Sequence, residues 1–506
     1  MTNKHRKLVA SQGQEVEPCA VLDLGSNSFH MLIGRLDGDR IVTVDRRKDM
    51  VRLAQGLDEN NNLSVEAQQR ALESLTVFAQ QIRKIPKERV RVVGTNTLRA
   101  AHNSDAFLEQ CEKIIGVPLD IISGHEEGRL IFRGVVKGHA GDGKRRLVVD
   151  IGGGSTEFIV GRKRAKHVES KFIGCVSLSQ KYFGDGKMSP QRYQKALLHA
   201  QSEIQPLMDV YGAGRWDEAV GTSGTIRYVG AAVDKLAPSD HLITRDGLDA
   251  VAARVASSRK LSSLSELGLS GDRLPVFPGG LAILHAAFIE LGIKEMHVSD
   301  YALKEGVLYE LADHDVFENT RRKTLDYLSR QFKIDRKQAR RVERLAMQLL
   351  PQVRDRLTTD YEIAKQALRD AAALHELGLT IAHSGYQKHG SYVIENADMP
   401  GFSRREQKLL GFLVLNHRRK LRSPAVNAYR FKADWVLVMV LRLSCLLNRG
   451  RVEQRLPTLR LEPKRGAIAL HIPAAWLARH PLVVEDLESE CKLLQSVGLR
   501  LDVVQS

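Results

Sequence analysis

The chain is 506 residues long, too long for one hydrophobic core. It is 43% hydrophobic and 27% charged, a balance that excludes a disordered chain and fits two to four folded domains. Lys and Arg number 76 against 60 Asp and Glu, a formal +16; this favours a polyanionic partner (nucleic acid, an anionic membrane surface or a phosphate polymer), with a merely soluble basic surface as the rival.

In chain order, residues 1–17 are polar and lack the apolar run of a secretory signal. Val21 to Ser28 reads as an apolar strand carrying Asp23, then a turn of Gly25, Ser26, Asn27 and Ser28, then a second strand through Ile33-Gly34-Arg35. Ser64 to Lys84 is expected to be a helix, with apolar residues recurring at Ala71, Leu72, Leu75 and Phe78. Val90 to Val93 and Leu119 to Ile122 read as short buried strands. Ser123-Gly-His-Glu-Glu127 then opens a helix with the S-x-x-E spacing of a capping box. Val148 to Ser155 repeats the first motif 127 residues on: Asp150 matches Asp23, Gly152 matches Gly25, Ser155 matches Ser28, and Val160-Gly161-Arg162 matches Ile33-Gly34-Arg35. Two such hairpins, with α/β patterning between them, predict two similar lobes related by duplication. A third small-residue loop, Gly221 to Thr225, follows the strand-like Glu218 to Val220.

From about Phe317 Pro and Gly thin out and helical periodicity dominates to about Leu447. This part carries a dense basic stretch from Arg321 to Arg344 and a second run, His417 to Lys420. Trp435 to Leu447 is the most apolar stretch near the C-terminus. It is interrupted by Arg442 and falls short of the ~20 residues of a membrane span, so a buried core helix is expected. Leu459 to Val504 mixes strands, such as Ala467 to Ile472, with a helix near Val484 to Leu494. Five scattered cysteines (Cys19, Cys111, Cys175, Cys445, Cys491) without a CxxC pair argue for a reducing compartment and against a zinc site.

Chemistry on a phosphate chain needs amide donors, a metal for the charge and an aligned nucleophile. The two Gly/Ser turns suit the first need, because successive turn N–H groups form an anion nest. The expected phosphate contacts are Gly25, Ser26, Asn27, Ser28, Gly152, Gly153, Gly154, Ser155 and Thr156, with Gly221, Thr222, Ser223 and Gly224 as a third wall and Arg99 as a planar fork. A hard Mg²⁺ ion takes one or two carboxylates plus phosphate oxygens and water, which points to Asp150 and Glu157, with Asp23 supporting through water. The rival is that Asp23 and Asp150 only brace their turns. Glu126 has a capping role; Glu127 is left to orient or deprotonate water, against the rival of a solvated carboxylate at a helix start. The basic residues Arg321, Arg322, Lys323, Arg336, Arg340, Arg418 and Arg419 are expected to form a track for a polyanion. His375-Glu376, followed by His383, His389 and His417, has the look of an HD phosphohydrolase helix. Glu stands where such a site needs Asp, so a binding scaffold without metal is the expectation.

Together the motifs at 23–30, 122–127, 150–157, 174–177, 221–225 and 303–306 resemble the exopolyphosphatase and guanosine pentaphosphate phosphatase family, of the actin, hexokinase and heat-shock ATPase superfamily. The resemblance implies an α/β fold of two actin-like (ribonuclease H-like) lobes, 18–130 and 131–312, then an all-α HD-like domain, 313–450, and a small α+β domain, 451–506. It implies processive release of orthophosphate from inorganic polyphosphate, Mg²⁺, stimulation by K⁺ and a homodimer. It carries over Glu127 as the catalytic carboxylate and Asp150 and Glu157 as metal ligands. Gly154 and Ser299-Asp300 lean towards exopolyphosphatase, with guanosine pentaphosphate as the alternative substrate. Gly128 departs from the family's usual Ala and is expected to loosen the helix start. A kinase of the same fold is the enzymatic rival; a nucleic-acid-binding protein is the other, but no recognition motif supports it and no nucleic-acid partner is expected. The expected location is cytoplasmic, with contact at the inner membrane left open.

Overall fold

The computed structural model describes residues 17–37, 40–138, 143–236, 242–269, 271–312, 314–423, 434–453 and 456–505. Residues 1–16, read above as lacking a signal, lie outside the described residues. The chain forms two compact units, Met1–Phe317 and Glu318–Ser506.

In the first unit, Cys19–Leu24 (β1), Phe29–Asp37 (β2) and Arg40–Asp49 (β3) run antiparallel, and Val90–Gly94 (β4) and Leu119–Ile121 (β5) extend the sheet in parallel, in the order β3-β2-β1-β4-β5. β1 is central, and Ala20, Val21 and Leu22 are wholly buried, which is why it reads as an unbroken apolar run rather than an alternation. The helices are Val65–Ile82 (α1), Asn96–Ala100 (α2), Ser104–Ile115 (α3) and Gly124–Gly138 (α4). α1 begins where expected: the Ser64 hydroxyl accepts the Ala67 N–H, and Ala71, Leu75 and Phe78 bury one stripe.

The second sheet holds Arg146–Ile151 (β6), Thr156–Gly161 (β7), Ala165–Lys171 (β8), Glu218–Thr222 (β9), Leu242–Thr244 (β10) and Glu295–Val298 (β11), ordered β10-β11-β9-β6-β7-β8. With β10 set aside, this repeats the order of the first sheet. Leu22↔Met31 and Val149↔Phe158 pair at matching places, so the duplication extends from motif to topology. Its helices are Cys175–Phe183 (α5), Pro190–Ile204 (α6), Met208–Tyr211 (α7), Ser223–Leu236 (α8), Arg245–Ser257 (α9), Phe277–Leu291 (α10) and Leu303–Ala312 (α11). α10 is apolar nearly all round because it is buried among α5, α6 and α8.

Two helices join the sheets. α4 packs on β7 and β8, whereas α11 returns to β1 and β2, and Leu130, Val307 and Leu308 share a core with Val21 of one sheet and Val148 of the other. The expected cut at 130/131 therefore passes through α4, and residues 303–312 pack on the first sheet.

His314–Gln331 (α12) runs across the boundary at Phe317, and the second unit continues with Arg336–Leu349 (α13), Tyr361–Leu374 (α14), Tyr386–Asn396 (α15), Arg404–Asn416 (α16) and Trp435–Leu447 (α17). It also contains Arg460–Lys464 (β12), Ala467–Ile472 (β13), Ala474–Leu477 (α18), Pro481–Gln495 (α19) and Leu501–Gln505 (β14). α17 is the expected core helix; Arg442 is buried within it because Glu490 takes its guanidinium through two bonds of 2.6 Å. Leu461, Ile468 and Leu470 of the small sheet share one core with Leu345, Leu437 and Leu441, so the small sheet packs as part of the helical unit.

The basic stretch is not one surface. Arg321 is 5% exposed, held by Asp370 at 2.8 Å and by Glu406, with Phe402 beneath it, and so is withdrawn from the expected track. Arg418 lies over the Tyr386 ring, and Arg336 pairs with Asp326 at 3.2 Å. Arg322, Lys323, Arg340 and Arg419 are exposed. His375 and His417 are buried edge to face, 5.4 Å apart. The Nδ1 of each is bonded to a carbonyl of its own helix, and burial lowers both from the usual histidine range. Arg451 takes the Glu376 carboxylate, and His383 is exposed.

Candidate active site

β1 and β6 each end at an Asp, and the turn that follows is closed by the same contact. A Cβ on Gly25 would stand 2.9 Å from the Ser28 carbonyl oxygen, and one on Gly152 would stand 3.1 Å from that of Ser155. The two turns touch: a Cβ on Gly153 would lie 2.9 Å from Ser26 Cβ and 3.3 Å from the Asn27 nitrogen. Their carbonyls are occupied from behind. Ser26 and Asn27 accept the N–H groups of Ala54 and Arg52, at 2.8 Å each, while Gly152 and Gly153 accept those of Cys175 and Val176, at 2.9 and 3.0 Å. Among the described residues, the N–H groups of Ser26, Asn27 and Ser28, and of Gly153, Gly154 and Ser155, donate to no protein acceptor. Two facing sets of free amides, with the carbonyl side tied away, make an anion nest from each lobe.

The cleft between the turns has a volume of about 130 Å³. It is lined by Asp23, Gly25, Ser26, Asn27, Ser28, Glu127, Asp150, Gly152, Gly153 and Ser155, and by Thr222, Ser223 and Gly224 of the third loop. Ser223 adopts φ +81°, which a residue with a Cβ rarely does, and its hydroxyl is anchored on the Ile151 carbonyl at 3.0 Å. The remaining expected residues stand behind the wall. Thr156 donates to the Ile173 carbonyl at 2.6 Å, and Gly221 packs against Ile226 and Met296. Gly154 sits so close to Asn96 that a Cβ would lie 2.4 Å from its Oδ1. Arg99 donates to the Ile122 carbonyl at 2.7 Å and stands 3.6 Å from Glu127 Oε2, an ion pair rather than a hydrogen bond, which turns it towards the carboxylate. Glu157, paired across the hairpin with Asp150, is 1% exposed and accepts from Ser170 at 2.8 Å.

Glu127 enters from the first turn of α4, 8% exposed, and its Oε2 is buried without a hydrogen bond. Burial raises its pKa above the usual carboxylate range, and Arg99 opposes the shift. Enclosure in the protein raises Asp23 and Asp150 to about 7 each; Glu127 adds to both shifts and Lys304 opposes them. Glu157 is raised well above its usual value by burial, then by Glu127 and Asp150. Neither Asp23 nor Asp150 accepts a backbone N–H from its own turn among the described residues, so the turn-bracing alternative does not describe them. Glu126 serves differently from a full capping box. The Ser123 hydroxyl accepts its N–H at 3.2 Å, while its carboxylate holds Arg129, which also holds Glu310 of α11.

The donor set suits Mg²⁺. Four close, buried carboxylates destabilise one another when ionised, which a cation relieves. Among the described residues no three His, Cys, Asp or Glu side chains converge to cage a metal.

Sequence reasoning missed the cationic side of the cleft: Lys48, Arg227, Arg273 and Lys304. Lys48 stands on the rim. Partial desolvation lowers it to about 8, and repulsion from Arg273, Arg227 and Lys304 adds to the shift. Lys304 was signalled by its motif at 303–306. The other three come from distant segments and carry no local pattern.

The chain matches the Ppx/GppA phosphatase family over residues 32–315 and Ppx/GppA phosphatase, domain III, over 320–491. It is 36% identical over 483 residues to the guanosine-5'-triphosphate,3'-diphosphate pyrophosphatase of Aeromonas hydrophila, covering 95% of this chain and 97% of the relative. The protein of the same name from Vibrio atlanticus is 38% identical over 486 residues, covering 96% and 97%. Among solved structures, an exopolyphosphatase from Cytophaga hutchinsonii is similar with a TM-score of 0.54 and 25% identity, over 59% of this chain and 98% of its own.

Proposed function

Because the chain belongs to the Ppx/GppA phosphatase family, a family of phosphoanhydride hydrolases, we propose that it removes the terminal phosphate of an oligophosphate chain bound between the two turns. The observation that carries this is the pair of touching turns whose free amides face one cleft beside Glu127. In this reading the amides of Ser26 to Ser28 and those of Gly153 and Ser155 hold the terminal phosphoryl oxygens. Lys48, Arg227, Arg273 and Lys304 take charge from the phosphates behind it. Glu127 accepts a proton from the attacking water, helped by a pKa that burial moves towards neutrality. Asp150 and Asp23 would hold Mg²⁺, with Glu157, beside Asp150 across the hairpin, adding negative charge that favours the cation. Bound there, Mg²⁺ would neutralise charge on the phosphate oxygens.

For the substrate, the two full-length relatives favour guanosine-5'-triphosphate,3'-diphosphate, which is the name they carry. Inorganic polyphosphate is the second reading; the resemblance and the Cytophaga structure support it, and both substrates end in the same phosphoanhydride. The test is orthophosphate release from each substrate at equal concentration of chain ends, with and without Mg²⁺ and without any acceptor. A higher kcat/KM on the guanosine compound is expected, and a higher value on long-chain polyphosphate reverses the order. Transfer to an acceptor without free orthophosphate would instead mean a kinase.

A further inference from the structure

The second sheet carries a basic cavity at the end of β7 opposite its phosphate-facing turn. β7 ends at Gly161, and the chain doubles back through Arg162, Lys163 and Arg164 into β8. The reversal is tight. A Cβ on Gly161 would stand 2.2 Å from the Arg164 carbonyl oxygen, and the hairpin register shifts at this point. Three successive cations are thus fixed on a close turn rather than spread on a loose loop, and Lys166 and His167 follow. They line a cavity of about 620 Å³, whose other wall includes Val210, Arg145 and Arg215.

The carboxylate of the described lining, Asp209, is already engaged, paired with Arg215 at 3.1 Å. Asp217, behind the lining, is held by Arg145 at 3.0 Å, which keeps its carboxyl below the usual range, with Arg162 adding to the effect. Among the described residues Lys163, Arg164 and Lys166 enter no ion pair. Cations crowded in this way repel one another, and an anion bridging them removes that repulsion. The chemistry of the lining narrows the anion. Among the described residues it has no Phe, Tyr or Trp on which a base would stack, and its recognition is by charge and by guanidinium forks, which suit phosphate oxygens. Six residues of β7 separate it from the catalytic turn, roughly 20 Å of extended chain, so a ligand here leaves the cleft open.

We infer that this cavity is a second, non-catalytic binding site for an oligophosphate, either an inorganic chain or the phosphates of a nucleotide. The inference concerns binding only and does not depend on the hydrolytic reading.

The test is calorimetric titration of the full-length Glu127→Gln protein, with inorganic tripolyphosphate in one arm and guanosine tetraphosphate in the other. Two classes of site are expected in at least one arm. Adding Arg162→Ser, Lys163→Ser and Arg164→Ser should remove one class, and its salt dependence with it, while the other class stays unchanged. In the wild-type background the same three changes should leave the initial hydrolysis rate within about twofold, since none of them touches the cleft. The arm that loses its second class identifies the source of the phosphates. Unchanged stoichiometry in both arms overturns the inference, as does a second class that only a DNA duplex fills. Loss of hydrolysis in the wild type with two binding classes retained would overturn the proposed function while leaving this site standing.

Discussion

At the scale of single residues the cleft is a balance of like charges on two sides. On the acidic side, Glu127 has a buried oxygen that accepts no hydrogen bond, 3.6 Å from Arg99. If it takes the proton from water, Glu127→Gln should lower kcat about 10²- to 10⁴-fold with little change in KM, read from steady-state phosphate release. Turnover near that of the wild type would leave Glu127 as a packing residue. On the basic side Lys48 gives a pH dependence whose sign is fixed. Its pKa lies at about 8, so it is charged below that pH and neutral above it. Only the charged form attracts phosphate, and kcat/KM should therefore fall as pH rises through about 8. Lys48→Arg, which stays protonated, should flatten that limb in a profile from pH 7 to 9.5; an alkaline limb that persists would assign it to another group. Neither Lys48 nor its neighbours Arg227 and Arg273 stood out in the sequence. A lone cation on a strand edge looks like any solvated charge, and only the tertiary fold brings residues 48, 227 and 273 to one rim.

At the scale of elements the decisive piece is α4, which presents Glu127 while packing on β7 and β8. Gly128 was expected to loosen this helix. The structure gives it the opposite role, since a Cβ there would stand 2.6 Å from Val168 Cγ1 and 3.2 Å from Ile159 Cγ1. The glycine lets the helix lie directly on the sheet. Gly128→Ala gains about 1 kcal/mol of helix propensity. It also overpacks a contact with a stiff β-branched side chain, which costs about 1–3 kcal/mol. The net expectation is a lower denaturation midpoint in urea, together with a fall in kcat as Glu127 shifts with its helix. A variant as stable and as active as the parent would show that the sheet yields instead. The hairpins were legible because chemistry and geometry share one local pattern: Asp at the strand end, then small residues in the turn. Arg321 was misread because charge density hides the face on which a charge sits. Helical spacing held the answer, for Arg321, Thr324 and Leu328 fall on one stripe of α12 and are buried together.

At the scale of the molecule the two compact units have separate cores, which bears on where long substrates are held. The Cytophaga exopolyphosphatase structure is matched over 98% of its own length yet covers only 59% of this chain, about the extent of the two-lobe unit. A two-lobed chain of that size therefore folds without the helical addition, and a fragment of residues 1–317 should fold alone and keep the cleft. The helical unit still exposes Arg322, Lys323, Arg340 and Arg419 after Arg321 is discounted. If these hold the distal part of a long phosphate chain, the fragment should turn over short substrates at a rate close to that of the full chain. From long polyphosphate it should release partly shortened intermediates. Neutralising the four residues in the full chain should raise KM for long chains far more than for short ones. It should also lower the salt slope of binding by up to about three units, as fewer counterions are displaced. Gel analysis of the shortening chains reads the outcome directly. A folded fragment that degrades long chains without intermediates would show that retention resides within the two lobes and that the exposed cations of the helical unit serve only as a solvated surface.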